Sequence, residues 1–371
     1  MNYRKPKYYD SFVCVGGSCE ATCCAGWQIM IDERKMEEYL QVPGSFGARL
    51  FRSIDWGEGA FLQSRQGRCS FLNEKNLCDI YRELGPDMLC DTCREYPRHT
   101  EEFEELRELS LSLSCPVAAR IMLEQREPLE LVEFSDDREE CWEDYEDFDE
   151  LLFSQLLEAR EKLFGLVQQE NRSLEGRMAL CLRLGRRLQS CLDEERLFHM
   201  ERCAEEWEKE CASADGEVIL EGYRLGCRMA AALERLEVLG QDWPRELKRT
   251  ERLLFQKGEE SYRKIWERFS GSWGAASPQA ERWNRYGRQL LVFFLYTYFC
   301  GAVYDGWIYS KVMLAVASTL WICQMACALW QEQGESLTQE DFLRLAYRYA
   351  REIEHSDENL NTLEELFMQW E

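Results

Sequence analysis

The chain has 371 residues, of which 45% are apolar and 12% aromatic, so folded domains with real cores are expected and disorder is not. Its 69 acidic and 45 basic residues give a net charge of −24. This balance argues against nucleic-acid binding, which depends on basic groups that meet phosphate. It would suit a partner whose surface carries lysine, although an ordinary solvated acidic surface has the same composition.

Residues 1–13 lack the apolar run of a signal peptide, so export is not expected. Eighteen cysteines without such a signal indicate a reducing compartment and thiols that are free or bind metal. Of two uncharged runs, 290–304 and 312–330, the second is long enough to cross a bilayer. Asp305 and Lys311 separate the runs and no strong cationic flank is present, so we predict buried core helices and no membrane association.

Residues 1–123 are predicted to form a cysteine-rich metal module with a few short strands, because nine cysteines and five of the eight prolines lie there. Residues 28–31 read as a short strand, and residues 68–80 read as a hairpin or a strand–turn–helix. Leucine alternates with serine over 109–114, which predicts a half-buried strand that leads to Cys115 and to a helix beginning at Pro116.

The strongest chemical signal is the segment 14–24, which holds four cysteines beside two glycines. Thiols this close in an intracellular protein usually bind metal. No histidine precedes His99, so the pattern predicts an all-sulfur site for zinc or for an iron–sulfur centre, structural or catalytic. Because neighbouring side chains diverge, Cys23 and Cys24 are not expected to bind the same small site. Two alternatives follow: two metal sites share this loop, or one of the two thiols binds no metal.

Residues 124–147 are predicted to be an acidic connector on the surface, and residues 148–371 a helical bundle, which makes the fold mainly α. Helical periodicity predicts helices over these ranges: 174–192, 196–211, 217–239 and 245–269. A loop is expected over 271–277, followed by a helix that Ser277 caps and Pro278 begins.

Thr338 and Asp341 have the spacing of a capping box, which predicts a helix that ends near Glu354. Cys323 and Cys327 lie one turn apart on an apolar helix and are expected to fill core space. The aromatic run 293–299 could line a groove, but packed core is the expected role.

The motifs of the first third resemble those of the flagellin lysine N-methylase family. They are Phe12-Val-Cys14, Cys19-Glu-Ala-Thr-Cys23-Cys24-Ala-Gly-Trp27, Ile31-Asp32, Cys69-Ser-Phe-Leu72, Leu77-Cys78-Asp-Ile-Tyr81, Leu84-Gly85, Asp91-Thr-Cys93-Arg-Glu-Tyr-Pro-Arg98 and Leu113-Ser-Cys115-Pro116. The segment 351–356 is similar to the C-terminal part of that family, whereas the middle of the chain matches only as helical. The N-terminal part also resembles the broader CxxCxxCC group of zinc or iron sites.

The resemblance implies a cytoplasmic protein-lysine N-methyltransferase that acts on flagellin and uses S-adenosylmethionine with a [4Fe-4S] cluster. A zinc-stapled protein-binding module without enzymatic activity is the alternative, and an electron-transfer protein is a third hypothesis. The metal ligands carried over by motif are Cys14, Cys19, Cys23, Cys24, Cys69, Cys78, Cys93 and Cys115. Cys90 is expected to be a bystander.

Two motifs that are typical of enzymes using S-adenosylmethionine are missing, so the sequence does not predict the methyl-donor chemistry. The C-x3-C-x2-C motif of radical S-adenosylmethionine enzymes would need a cysteine at position 26, which is Gly26. The G-x-G-x-x-G motif of the common nucleotide-binding methyltransferase fold does not follow any predicted strand. A substrate lysine must lose its proton before it attacks a methyl group. Residues near the cysteines that could take this proton are Tyr8, Tyr9, Asp32, Tyr96 and His99. Each more often serves loop structure, and His355 reads as a helix-end histidine, so no catalytic or methyl-donor-binding residue is assigned.

Overall fold

A computed structural model describes residues 1–138, 148–169, 172–213, 220–274 and 278–370. The fold is mainly helical with a few short strands in the cysteine-rich first third, as predicted. The strands are β1 Asn2–Pro6, β2 Ile54–Asp55, β3 Ala60–Phe61, β4 Arg98–Phe103, β5 Leu106–Leu111 and β6 Leu131–Ser135. The first helices are α1 Glu33–Leu40, α2 Gly44–Arg52, α3 Asp79–Leu84, α4 Asp91–Glu95 and α5 Pro116–Leu123.

The rest of the described chain is helical. Its helices are α6 Glu150–Val167, α7 Leu174–Asp193, α8 Met200–Ser213, α9 Gly222–Leu233, α10 Trp243–Thr250, α11 Glu259–Gly274, α12 Pro278–Tyr298, α13 Ala302–Asp305, α14 Ile308–Glu332, α15 Gln339–Glu354 and α16 Asp357–Met368. The capping box predicted at Thr338 and Asp341 is present at the start of α15.

Four strands form one sheet in the order β4-β5-β1-β6. β1 runs parallel to β5 and antiparallel to β6, and the rings of Tyr3 and Phe134 stack at 4.8 Å between centroids. β6 lies within the segment 124–147 that the sequence suggested as a connector, and its side chains are largely exposed. Residues 139–147 of that segment, with Cys141, lie outside the described residues.

The order of strand, cysteine and helix predicted around Cys115 is confirmed, but the strand spans Leu106–Leu111 and not 109–114, and Ser110 and Ser114 are buried. β5 ends at Leu111, and the amide of Ser112 still donates to the carbonyl of Pro97 at 2.7 Å, in the register of the β4–β5 pair. Cys115 is the N-cap of α5 and Pro116 is its first residue, where a missing N–H costs nothing.

Two apolar cores hold the molecule. The larger core joins the sheet to the helices of residues 148–370, and α14 runs through it with Cys323 and Cys327 fully buried. α14 is long and apolar enough to cross a membrane, but its apolar window is entirely covered by protein. A smaller core, built around Tyr39 and Phe71, belongs to the cysteine module.

Three local expectations were wrong. The helix predicted over 245–269 is two helices, because the chain leaves α10 through a π-helical turn and Gly258 adopts a φ of +82°. α11 then continues to Gly274, past the start of the predicted loop, while Ser277 lies outside the described residues. Residues 28–31 form no strand, and only Met30 makes an isolated bridge, to Ala60.

Candidate metal centre and adjoining cavity

The cysteine loop, residues 14–24, has no regular secondary structure beyond one short turn and is held by the segment 67–69. The amide of Gly26 donates to the carbonyl of Gly67, and the amide of Cys69 donates to the carbonyl of Cys24, each at 2.9 Å. A Cβ on Gly17 would stand 2.8 Å from the carbonyl oxygen of Lys75. The loop therefore packs tightly against the segment that carries Cys69 and Cys78.

Three further cysteines lie at helix N-termini. Cys78, Cys90 and Cys115 are the N-caps of α3, α4 and α5. Burial raises the pKa of the Cys78 and Cys115 thiols, and backbone N–H groups in the first turns of α3 and α5 that donate to them offset part of this rise. Such positions suit thiolate ligands.

One group of neighbouring thiols, the first thiol set, consists of Cys14, Cys19, Cys23 and Cys115. Burial raises the pKa of the Cys115 thiol, and the nearby Cys19 and Cys14 raise it further. Cys14 likewise raises the pKa of Cys19 and of Cys23. Cys14 therefore lies near Cys19, Cys23 and Cys115, which links the loop to the start of α5.

The second thiol set consists of Cys24, Cys69, Cys78 and Cys93. Burial raises the pKa of Cys69 to about 12, with contributions from Cys24 and Cys78. The pKa of Cys93 is raised by its hydrogen bond with Cys90, by burial, and by Cys24 and Cys69. Cys90, expected to be a bystander, lies beside this set and also contacts the carbonyl of Met30 at 3.6 Å.

Cys23 and Cys24 belong to different sets and are coupled by a hydrogen bond that lowers the pKa of Cys24 and raises that of Cys23. All cysteines of both sets are free thiols. In the described parts of the chain, no three Cys, His, Asp or Glu side chains are already grouped closely enough to hold an ion. The donor chemistry nevertheless fits zinc or iron, because each set offers four soft sulfur ligands whose mutual repulsion a cation would relieve.

Helix α15 ties the loop to the strand that leads to Cys115. Arg351 donates to the carbonyl of Ser114 at 3.1 Å and to the carbonyls of Ala21 and Thr22 in the cysteine loop. His355, the C-cap of α15, hydrogen-bonds Ser114 Oγ at 2.9 Å. The first thiol set is thus anchored to the helical part of the chain.

Trp27 connects the same set to a cavity. Its indole N–H donates to the carbonyl of Cys23 at 2.6 Å, and its ring stacks on His355 with centroids 4.4 Å apart. Both residues line a cavity of about 540 Å³ bounded by β4, β5, α12, α14, α15 and α16. A smaller cavity of about 290 Å³, lined by Arg348 and Glu246, lies on the other side of His355.

The larger cavity has an acidic lining. Six carboxyl groups and two fixed cations, Arg98 and Lys311, border it among the described residues. Burial raises the pKa of Glu354 to about 7, although the nearby Ser112 hydroxyl and His99 lower it. Burial also lowers the pKa of His355 to about 3, with Arg351 acting in the same direction, so this imidazole is neutral.

The structure gives different environments to the five residues that the sequence suggested as proton acceptors. Asp32 caps α1 and accepts from the amides of Lys35 and Asp91, a structural role. Burial raises the pKa of Tyr8, Tyr9 and Tyr96, so none of these phenols ionises readily. His99 lies at the cavity rim, 2.6 Å from a carboxylate oxygen of Glu101.

Sequence reasoning did not single out Glu354, because a glutamate near the end of an amphipathic helix reads as a solvated charge. The available signal was its position inside the segment 351–356, which resembles the family. Burial by β4 and β5, which lie far away in sequence, is what gives this carboxyl group its distinct environment.

Comparisons with known proteins follow this division of the chain. Residues 160–371 match the family model of the FliB lysine N-methylase C-terminal domain. Residues 13–115 match the CxxCxxCC model, described as a "putative zinc- or iron-chelating domain". No solved structure matches the chain.

Curated relatives match over 128 residues, 32% of this chain, at 31% identity. "Flagellar biosynthetic protein FliU" of Salmonella muenchen is covered over 75% of its length. "Lysine-N-methylase" of Salmonella typhimurium and of Salmonella choleraesuis is covered over only 32%.

Fold and site together define a helical protein that carries an N-terminal cysteine module of the metal-chelating type. The chain belongs to the FliB lysine N-methylase family, since the family model covers more than half of it. The resemblance seen in the sequence motifs is thereby confirmed.

Proposed function

We propose that this protein is a cytoplasmic, S-adenosylmethionine-dependent lysine N-methyltransferase that acts on flagellin. Family membership supports the reaction class. Relatives named lysine-N-methylase and flagellar biosynthetic protein support the lysine and the flagellar substrate.

The observation that carries the proposal is the acidic cavity beside the first thiol set. A protein-lysine methyltransferase needs a recess that accepts a long cationic side chain and a group that removes its proton. The cavity provides apolar walls, including Trp27 and Phe293, together with partly buried carboxyl groups such as Glu354. Its 540 Å³ lies within the range of ligand-binding cavities.

The proposed metal ligands are the two thiol sets, one centre for each. Two centres are preferred to one because Cys14 acts on Cys23, whereas Cys24 acts on Cys69 and Cys93. A [4Fe-4S] cluster is proposed for at least one set, with zinc as the alternative occupant. When bound, zinc would act as a structural staple, whereas an iron–sulfur cluster could also carry an electron.

The direct test is mass spectrometry of flagellin after anaerobic incubation with the metal-loaded protein and S-adenosylmethionine that carries a deuterated methyl group. Lysine residues are expected to gain the labelled methyl group, and reactions without protein or donor serve as controls. Unlabelled flagellin that nevertheless binds the protein would favour the non-enzymatic zinc-stapled module. Flagellin that is neither labelled nor bound would reject both functions.

A further inference from the structure

The large cavity contains polar groups that the fold buries without satisfying. Ser110 and Thr297 are only 4% and 6% exposed, and their hydroxyl oxygens have no hydrogen-bond partner among the described residues. One carboxylate oxygen of Glu354 and one of Glu364 are buried and unpartnered in the same way. All four side chains line this cavity.

Unsatisfied buried acceptors are costly, so their grouping in one recess points to a ligand that supplies donors. An ammonium group has three donors and a positive charge, and it can satisfy carboxylate and hydroxyl oxygens together. A lining that holds six carboxyl groups and two fixed cations also favours a cationic ligand over an anionic one. The chemistry therefore selects an amine.

The wall of the cavity already contains one such arrangement. Lys311 is 7% exposed, and its ammonium group contacts Glu364 at 2.6 Å and Asp305 at 2.8 Å. These carboxylates are therefore engaged. Glu354 differs, because it forms no ion pair within the described chain. Its carboxyl group accepts from the hydroxyl of Ser112 and lies against the backbone amides of Leu113 and Ser114.

The shape suits a side chain that enters from the surface. His99, Tyr304 and Asp357 at the rim are exposed, whereas Ser110, Thr297 and Glu364 lie buried. Apolar groups between the two levels, among them Phe293, Ile353 and Leu360, can cover the methylene stem of a lysine.

We propose that this cavity binds the side chain of the substrate lysine and that Glu354 accepts the proton of its ammonium group. This inference rests on the proposed function for its reaction step. The ammonium N–H bond breaks and its proton moves to the Glu354 carboxylate, leaving a neutral amine. The amine lone pair then forms the N–C bond as the S–C bond of the methylsulfonium donor breaks, and the electron pair of that bond stays on sulfur.

Charged and titratable groups surround Glu354 on several elements. From β4 and its start come Arg98, His99 and Glu101. From α13, α14, the α15 cap and α16 come Asp305, Lys311, His355, Asp357 and Glu364. Since these groups also titrate, a pH profile alone would not isolate Glu354, and a nucleophile that needs no base is the sharper probe.

The first measurement is binding to the full chain of Nα-acetyl-lysine methylamide, followed by NMR. The matched probe is the norleucine analogue, which has the same stem without the ammonium group. Wild-type protein is expected to bind the lysine probe about tenfold more tightly, as one well-formed charged hydrogen bond allows. Glu354→Gln should remove this difference, whereas Glu365→Gln, an exposed position on α16, should preserve it.

The second measurement is methyl transfer to flagellin and to a peptide in which an aminooxy group, neutral at pH 7, replaces the lysine amine. Glu354→Gln should slow lysine methylation by about 100-fold, the usual contribution of a general base, and should spare the aminooxy peptide. Glu354→Asp should restore part of the lysine activity. Circular dichroism and metal content of each variant control for folding.

The two ideas fail in distinguishable ways. Equal binding of both probes by wild-type protein, or full lysine activity in Glu354→Gln, would overturn the amine site even if flagellin is methylated. Selective, Glu354-dependent binding of the lysine probe without methyl transfer would sustain the amine site and reject the enzymatic function.

Discussion

Cys23 and Cys24 are adjacent in the chain and hydrogen-bonded to each other, yet their further thiol neighbours differ. Cys23 lies with Cys14 and with the set that includes Cys115, whereas Cys24 lies with Cys69 and the second set. Successive side chains of an extended or looped backbone diverge, so a vicinal pair can serve two centres without strain in one of them. Single substitutions at this pair should therefore have separable effects.

We predict that Cys23→Ser and Cys24→Ser each remove one of two metal centres and leave the other. A serine oxygen replaces a soft sulfur ligand, which lowers the affinity of that set for zinc or iron. Metal and sulfide analysis of each purified variant checks this. Cys227→Ser, on α9 and outside the cysteine module, is the matched control and should keep the full metal content. Complete metal loss in either single variant would indicate one shared centre instead.

At the level of elements, a buried ion pair fastens the sheet to the helices. Arg160 of α6 is fully buried and binds both carboxylate oxygens of Glu108 of β5, at 2.6 and 2.5 Å. It also donates to the carbonyl of Tyr296 in α12 at 3.1 Å. Such a pair contributes little net stability over an apolar contact, but the loss of one partner is costly.

Glu108→Gln should lower the free energy of unfolding by about 3–5 kcal/mol, because Arg160 would remain buried without a countercharge. Chemical denaturation followed by circular dichroism measures the change. The control is Glu130→Gln, next to the start of β6, since Glu130 contacts Lys7 at the surface and should change stability by about 0.5 kcal/mol or less. Equal effects of the two substitutions would remove the role assigned to the buried pair.

The elements also show how far the sequence could lead. Periodicity and caps predicted α7, α12, α15 and the Pro116 helix, because those signals are local. The break at Gly258 was missed, since a lone glycine inside a periodic stretch is often tolerated in a helix. Pairing of β1 with β5 joins residues about a hundred positions apart, and no local pattern encodes it.

The sequence also predicted some features of the candidate site and missed others. The crowded cysteines predicted a sulfur-rich centre, because spacing alone restricts what four thiols in one loop can do. Their separation into two sets depends on where α3, α4 and α5 begin in space, which spacing does not give. The sequence gives no sign that Glu354 differs from a solvated glutamate, because its environment is formed by β4 and β5, which are far away in the chain.

On the scale of the whole molecule, the two apolar cores differ in size and therefore in how much stability packing alone can give them. The large core is continuous from the sheet through α14, whereas the module core around Tyr39 and Phe71 is small and contains Cys69. Small cores need a staple, and metal binding can supply folding free energy. The module should therefore depend on metal more than the helical part does.

Metal removal by a strong chelator under reducing conditions should increase amide hydrogen exchange across residues 14–95 and leave α14 protected. Hydrogen exchange with mass spectrometry, compared with the metal-loaded protein, reports both regions in one experiment. Uniform loss of protection would mean that the two cores unfold together. Unchanged protection in the module would mean that metal does not support it.

The central claim is that eight thiols from the N-terminal module hold inorganic centres beside the acidic cavity. X-ray absorption at the metal edge of anaerobically purified wild-type protein, together with metal content per chain, tests it most directly. We expect firmly bound zinc or iron in two centres, with sulfur as the only protein ligand. Folded, metal-free protein in which all eight thiols react with an alkylating reagent would contradict it.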